Sequence, residues 1–271
     1  MGLFGRKKKD DTTRVDPEDQ TRLINQGNTL FRVGNYGEAI RCYDDAIMLN
    51  PENDNAWNNM GLSFAQLERF GEAIVCYDKA IELNPEDYEK WRNKGSVLER
   101  LGKFEEAITC YDKAIELNPN DNNSWNNKGA ILSNIYDRHE EAIACFDKAA
   151  VIQTLKIDSN PDDYDSTDFN IGKSLSKLGR YEEVIACFDR LIRFRPEYDE
   201  FWKFKGDALF ELGRYEEATA CFDKVIELNP IDVWTWNKKG ELLKKLGRKK
   251  EAEECFDKAN FFRKGLEKAK K

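Results

Sequence analysis

Seven cysteines, one histidine, fifty-one carboxylates and a recurring set of asparagines are the groups in this 271-residue chain whose types and spacing could do chemistry. Cys42, Cys76, Cys110, Cys145, Cys187, Cys221 and Cys255 each stand directly before a Tyr or Phe, one thiol per recurring unit. Packed helices lie about 8–10 Å apart, whereas a disulfide needs Cα atoms within about 7 Å, so equivalent cysteines on successive units cannot bridge. The same distance defeats a metal ladder, and the thiols read as small buried hydrophobes in a reducing, cytoplasmic compartment. His139 is the single histidine and is expected at the surface of an irregular turn. Carboxylate pairs such as Glu105–Glu106 and Glu182–Glu183 open helices, where acids favour the helix dipole. No nucleophile stands beside a base at a useful spacing, so neither catalysis, a cofactor nor a bound metal is expected. What remains is a row of amides. Asn25, Asn59, Asn93, Asn127 and Asn170 each lie two residues before a recurring glycine, and the slot then becomes Phe204 and Lys238. A side-chain amide offers one acceptor and two donors, which match the donor and acceptor of a peptide backbone.

The unit that must position these groups is clearest at Tyr88 to Asp121, a stretch of 34 residues. Apolar residues at three- and four-residue steps mark a first helix from Glu89 to Arg100, ended by Gly102. A second helix runs from Phe104 to Leu117, with Glu105 and Glu106 in its first turn and Pro119 closing it. A hairpin this small cannot bury both faces alone, so copies must stack and share one core. Seven copies follow one another from Gln20 to Leu266. The fourth is irregular, with extra residues near Tyr136 to Arg138 and again between Ala149 and Pro161. Val151, Ile152 and Leu155 extend its second helix until Asp158 to Asn160 break it, which either divides the array into residues 20–163 and 164–266 or leaves an inserted turn tolerated at its outer edge. Gly27, Gly61, Gly95, Gly129, Gly172, Gly206 and Gly240 recur inside the first helices. Glycine there costs about 1 kcal/mol relative to alanine, so its return implies close approach of the partner helix.

The spacing of Trp91, Gly95, Leu98, Gly102, Phe104, Ala107, Tyr111, Ala114 and Pro119 resembles the tetratricopeptide repeat family over roughly residues 20 to 266. One departure recurs: Lys94, Lys128, Lys205 and Lys239 hold a slot that is usually Leu. Their stems are expected to lie over apolar surface while the ammonium reaches water. The resemblance implies an all-α, right-handed superhelical solenoid of helical hairpins, a protein-interaction scaffold whose first helices line a concave groove. The groove takes an extended peptide or a partner helix. In relatives an asparagine ladder of this kind grips peptide main chains. Chaperone-binding relatives instead use a carboxylate clamp; Asn28 and Asn59 match its two asparagines, but Ile24, Glu89 and Asn93 stand where its basic residues belong. A co-chaperone-like module would therefore lack the usual clamp. Arg92 belongs to the same first-helix face. In the later repeats Phe169, Phe204, Phe210 and Trp234 fall at inward slots beside Lys173 and Lys203, as a hot spot for a partner side chain would. The alternative is that Phe204 and Phe210 pack into the core of a slightly rotated helix.

Charge separates the ends from the body. Residues 1 to 15 hold five basic and two acidic side chains, residues 234 to 271 thirteen and six, against a formal net charge of -8 for the whole chain. The acidic body argues against nucleic acid, which wants a basic stripe. Residues 1–19 lack the apolar core of a signal peptide and read as a disordered basic tail. Leu3, Phe4 and Arg6 to Lys9 offer a weak membrane-surface contact, the basis of a second reading as a peripheral membrane adaptor. Residues 267–271 form a basic C-terminal tail. The seventh repeat lacks a closing proline, its second helix is expected to run through Phe261 and Phe262 towards Gly265, and its uncapped end raises self-association as a further partner mode.

Overall fold

In the computed structural model, residues 17–155 and 161–269 are described, the side chains of 17, 153–166, 266, 268 and 269 excepted. Among them the chain is all-α, with fourteen helices paired as successive hairpins. It forms two compact units, Met1–Pro119 and Asn120–Lys271. The basic segment with Leu3, Phe4 and Arg6 to Lys9, and the helix-breaking Asp158 to Asn160, lie outside the described residues.

The first unit contains three hairpins: α1 (Pro17–Arg32) with α2 (Tyr36–Leu49), α3 (Asp54–Gln66) with α4 (Phe70–Leu83), and α5 (Tyr88–Arg100) with α6 (Phe104–Leu117). The second contains four: α7 (Asn122–Asn134) with α8 (His139–Leu155), α9 (Pro161–Lys177) with α10 (Tyr181–Phe194), α11 (Asp199–Glu211) with α12 (Tyr215–Leu228), and α13 (Val233–Lys245) with α14 (Lys249–Ala269). The second helix of the irregular repeat does run on to Leu155, and α14 continues through Gly265 to Ala269.

Each hairpin closes on one contact. A Cβ built on the first-helix glycine would lie between 2.6 and 2.8 Å from a ring carbon of the second-helix aromatic in all seven copies, from Gly27 against Tyr43 to Gly240 against Phe256. The glycine is thus the floor on which the ring lies, as its recurrence implied. In the first six copies the ring is almost inaccessible to solvent; Phe256 is only half-buried. The hairpin turn needs a left-handed residue, supplied by Gly102 at φ 74°, where the Lys103 amide returns to the Leu98 carbonyl. Glu68 and Asp137 take the left-handed conformation without glycine in the second and fourth copies.

In the second, third, sixth and seventh repeats the landmark tryptophan fastens the repeat to its predecessor. The indoles of Trp57, Trp91, Trp202 and Trp236 donate to the carbonyls of Pro51, Pro85, Pro196 and Pro230 at 2.8–2.9 Å. The ammonium groups of three of the recurrent lysines end on carboxylates. Lys94, Lys205 and Lys239 pair with Asp78, Asp189 and Asp223 of the preceding second helix at 2.5–2.6 Å. The Leu-to-Lys departure therefore places an ion pair between successive repeats at this slot.

Lys90 is the most deeply buried charge. It lies between the carboxylates of Asp87 and Asp54, the latter at 2.8 Å, and Asp54 also accepts from Asn84 at 3.0 Å. Burial alone would lower the lysine and raise Asp54; the hydrogen bonds between them outweigh it, holding Lys90 above and Asp54 below their ordinary values. Removing one member of such a group leaves an uncompensated buried charge, a cost of about 3–5 kcal/mol.

A Gly95→Ala substitution should destabilise the first unit by about 1–3 kcal/mol, because the added methyl meets the Tyr111 ring and forces it off its rotamer. Urea unfolding monitored by circular dichroism checks this. A stability equal to or above that of the unsubstituted chain would show that the ring has room to move.

Candidate functional site

The asparagines of the first unit do not form a simple row of independent amides. They join in one hydrogen-bonded chain across three first helices. The Tyr43 hydroxyl donates to Asn28 Oδ1 at 2.8 Å, and Asn59 Nδ2 donates to the same oxygen at 3.1 Å. Asn58 Nδ2 donates to Asn59 Oδ1 at 3.4 Å, and Asn93 Nδ2 donates to Asn58 Oδ1 at 3.2 Å. The amide-to-amide bonds run in one sense, with donating nitrogens facing the first repeat and accepting oxygens the third. Each linking amide uses one N–H and keeps a second, so the chain is stiffened without exhausting its donors. A cavity of about 130 Å³ opens beside it, lined by Asn28, Phe31, Arg32, Tyr43, Asn59 and Leu62. Asn25 is exposed on α1 and takes no part in the chain. Arg92 sits on the same face of α5, its guanidinium 5.6 Å over the Tyr88 ring and 3.8 Å from Glu89.

Asn58 is the functional candidate that sequence reasoning missed. The slot two before each Gly selects Asn59 and Asn93; Asn58, three before Gly61, is buried and links them. The doublets Asn58–Asn59 and Asn126–Asn127 were the available signal. In the second unit Asn126 binds the buried Thr167 hydroxyl of the next repeat through both its amide atoms, at 3.0 and 3.2 Å. Asn127 and Asn170 are half-buried on α7 and α9.

The aromatics of the second unit separate into two groups. Phe204 stacks on the core ring of Phe188 at 5.1 Å with planes 2° apart, and Phe169 meets both edge-on at 5.4 and 6.0 Å. These two half-buried rings extend the core outward, with Lys173 Nζ 5.7 Å from the Phe169 centroid. Trp234 stands farther out. It is 37% exposed and packs edge-on against Phe222 at 6.1 Å. Lys203 lies 4.6 Å over its ring and Lys238 5.7 Å. Phe210 is flanked by Lys238 at 5.0 Å and Lys245 at 5.1 Å, and rests on Tyr215. Lys203 is held at 2.8 Å by Asp232, which also accepts from Thr235 at 2.6 Å; these bonds overcome burial and keep the carboxyl below its ordinary range. Asp207 contrasts with it. Its Oδ1 is buried without a hydrogen bond, Lys238 Nζ stands 3.7 Å away, and burial pushes the carboxyl up.

His139 is not a surface residue. Its side chain is 10% exposed, with Nδ1 3.1 Å from Ser133 Oγ and Nε2 3.7 Å from Asp137. The order Ser–His–Asp resembles a nucleophile and its base, yet the Ser133 hydroxyl is buried and shared with Ser174 Oγ at 3.0 Å, so a substrate carbonyl has no approach to it. All seven thiols are free and buried. Burial lifts Cys76 and Cys187 to about 12, and Cys110 and Cys221 to about 11. Among the described residues no three His, Cys, Asp or Glu side chains cluster as metal ligands would, and no helix is long and apolar enough to cross a membrane.

Comparison with known proteins follows the hairpins. Family profiles described as tetratricopeptide repeat match residues 55–87, 88–121, 110–144, 169–198 and 235–260, and one described as TPR repeat matches 27–68 and 206–247. The chain belongs to the tetratricopeptide repeat family, and its fold is that of a protein-interaction scaffold. Comparison with curated proteins returns no match. Among solved structures it is similar to a tetratricopeptide repeat protein from Parabacteroides merdae, at 19% identity over 90% of this chain and 93% of that one, with a TM-score of 0.63. It is also similar to the C-terminal part of a repeat protein from Cytophaga hutchinsonii, at 15% identity over 87% and 93%, TM-score 0.73. A third is YrrB, described as a TPR protein with an unusual peptide-binding site, at 24% identity over 69% and 91%, TM-score 0.59. These likenesses concern the fold.

Thiols this buried should resist alkylation. At pH 8, iodoacetamide is expected to label the native chain on the order of a hundredfold more slowly than the urea-unfolded chain. Labelling of any of these cysteines at the unfolded rate would contradict the packing described.

Proposed function

We propose that the chain is a scaffold that binds a partner polypeptide on the face formed by its first helices. In the first unit, the Asn28–Asn59–Asn58–Asn93 chain holds main-chain groups of an extended segment. In the second, Trp234 and Phe210, with Lys203, Lys238 and Lys245 about them, receive a side chain. The observation that carries this reading is the amide chain itself. Hydrogen-bonded amides on three successive first helices hold fixed donors at repeat spacing, which recognition of a backbone requires and core packing does not. YrrB, of the same fold, is described as having a peptide-binding site, which agrees with the use proposed here.

Self-association through the last hairpin is weakened as an alternative by two slots. Positions that hold Ile40 and Ile47 in the first repeat, and Ile74 and Ile81 in the second, hold Glu253 and Asn260 in α14, both exposed. These two slots of α14 are thereby made polar, and Phe261 is a large exposed apolar side chain among its described residues.

Replacing Asn59, Asn93 and Asn127 together by Ala should weaken binding of a captured partner about tenfold or more, since each lost hydrogen bond contributes about 0.5–1.5 kcal/mol. The helical circular dichroism signal should be retained. Unaltered affinity in the triple variant would sink the proposal for the amide face.

A further inference from the structure

The second repeat holds a cavity beside a glycine that the third, fifth and sixth repeats replace by glutamate. It measures about 260 Å³ and lies against the second helices of the first unit, apart from the amide face. Its apolar floor is Met60, Phe64, Val75 and Cys76; Asp44 and Glu72 stand at its rim. One sequence choice opens it and a second adds to its apolar lining. Gly71 occupies the position of Glu105, Glu182 and Glu216 in later repeats, and a Cβ there would meet nothing within 4 Å. Val75 occupies a slot that is Thr109, Ala186 and Ala220 elsewhere, and is half exposed. A bulky apolar side chain is therefore presented beside a gap, on a surface where α2 and α4 each carry three carboxylates to one basic side chain.

We propose that this cavity takes the apolar pair Leu3–Phe4 of the chain's own N-terminal segment, with the basic run Arg6 to Lys9 laid along the carboxylates of α2 and α4. Three observations select that occupant. The segment joins two bulky apolar side chains to four consecutive basic ones, the complement of an apolar floor with an acidic surround. The start of α1 lies beside α2, because Gln20 Nε2 donates to the Ala46 and Asn50 carbonyls, and Asp44 on the cavity rim is two residues before Ala46. The residues between Phe4 and Pro17 can span up to about 40 Å when extended, more than the length of α2 requires. A cavity of this size accommodates one of the two side chains with the other lying across its mouth, and covering it would remove the exposed face of Val75 from water.

The methionine methyl groups provide the readout, since Met60 lines the cavity and Met48 on α2 is exposed and away from it. Carbon-13 methyl spectra of the full chain would be compared with those of a Leu3→Ala/Phe4→Ala variant, and the pair repeated on a background carrying Gly71→Glu. With Gly71 in place, loss of Phe4 should move the Met60 methyl resonance away from its ring-shifted position and leave Met48 unchanged. On the Gly71→Glu background, where the new side chain is the one sibling repeats carry, the same double substitution should move neither. A Met60 resonance indifferent to Leu3→Ala/Phe4→Ala with Gly71 in place would overturn the proposal. A shift that disappears on dilution would also overturn it, by assigning the occupant to a second copy.

Discussion

Every hairpin in this protein depends on one steric constraint, a glycine backbone pressed against an aromatic ring. With the Cβ removed, the second helix approaches until Tyr43, Tyr77 or Tyr111 lies flat on the first, and the ring is sealed from water. That contact fixes the separation and rotation of the two helices. The first-helix residues beside the glycine then take fixed directions about it, so that Asn28, one residue after Gly27, meets the Tyr43 hydroxyl. Asn59 and Asn93, two residues before their glycines, and Asn28, one residue after, are carried to one face by this geometry. Function in this reading is what the glycine contact leaves over.

Polar bonds fix the register between repeats within each unit. The indole-to-proline bonds repeat with little variation, and the Lys–Asp pairs of the Leu-substituted slot add a second tie at the same step. Lys90 goes further, since its charge is solvent-inaccessible and is balanced by Asp54 of the preceding repeat and by Asp87, which caps the start of its own helix. A displaced register would strand that charge. The group specifies alignment more than it stabilises, because a well-packed apolar trio of the same volume would avoid the desolvation cost.

Much of this was legible in the sequence, because architecture in a repeat array is written seven times. The hairpin boundaries of the third copy, the close approach at Gly95, the extension of α8 and the burial of the thiols follow from comparing slots. What was not legible occurs once, or depends on pairing across repeats. Lys90 reads as a solvated side chain until its slot is compared with Ala56, Ser124 and Thr235, all buried. His139 reads as a turn residue, yet its ring enters the space between Ser133 and Asp137. Asn58 was passed over because its role lies in bonds to Asn59 and to Asn93 of the next helix, which no single repeat displays. Phe204 and Phe169 read as groove residues, and prove to be stacked on or against the core ring of Phe188 as well.

The central claim is that partners meet the first-helix face. Its most direct test places a photo-crosslinking benzoylphenylalanine in the full chain at Asn25 or Trp234, on first helices, and at Arg41 or Thr109, exposed on second helices. The account predicts that the same partner is captured from Asn25 and Trp234 and escapes capture from Arg41 and Thr109. Capture from Arg41 or Thr109 with none from the first helices would contradict it.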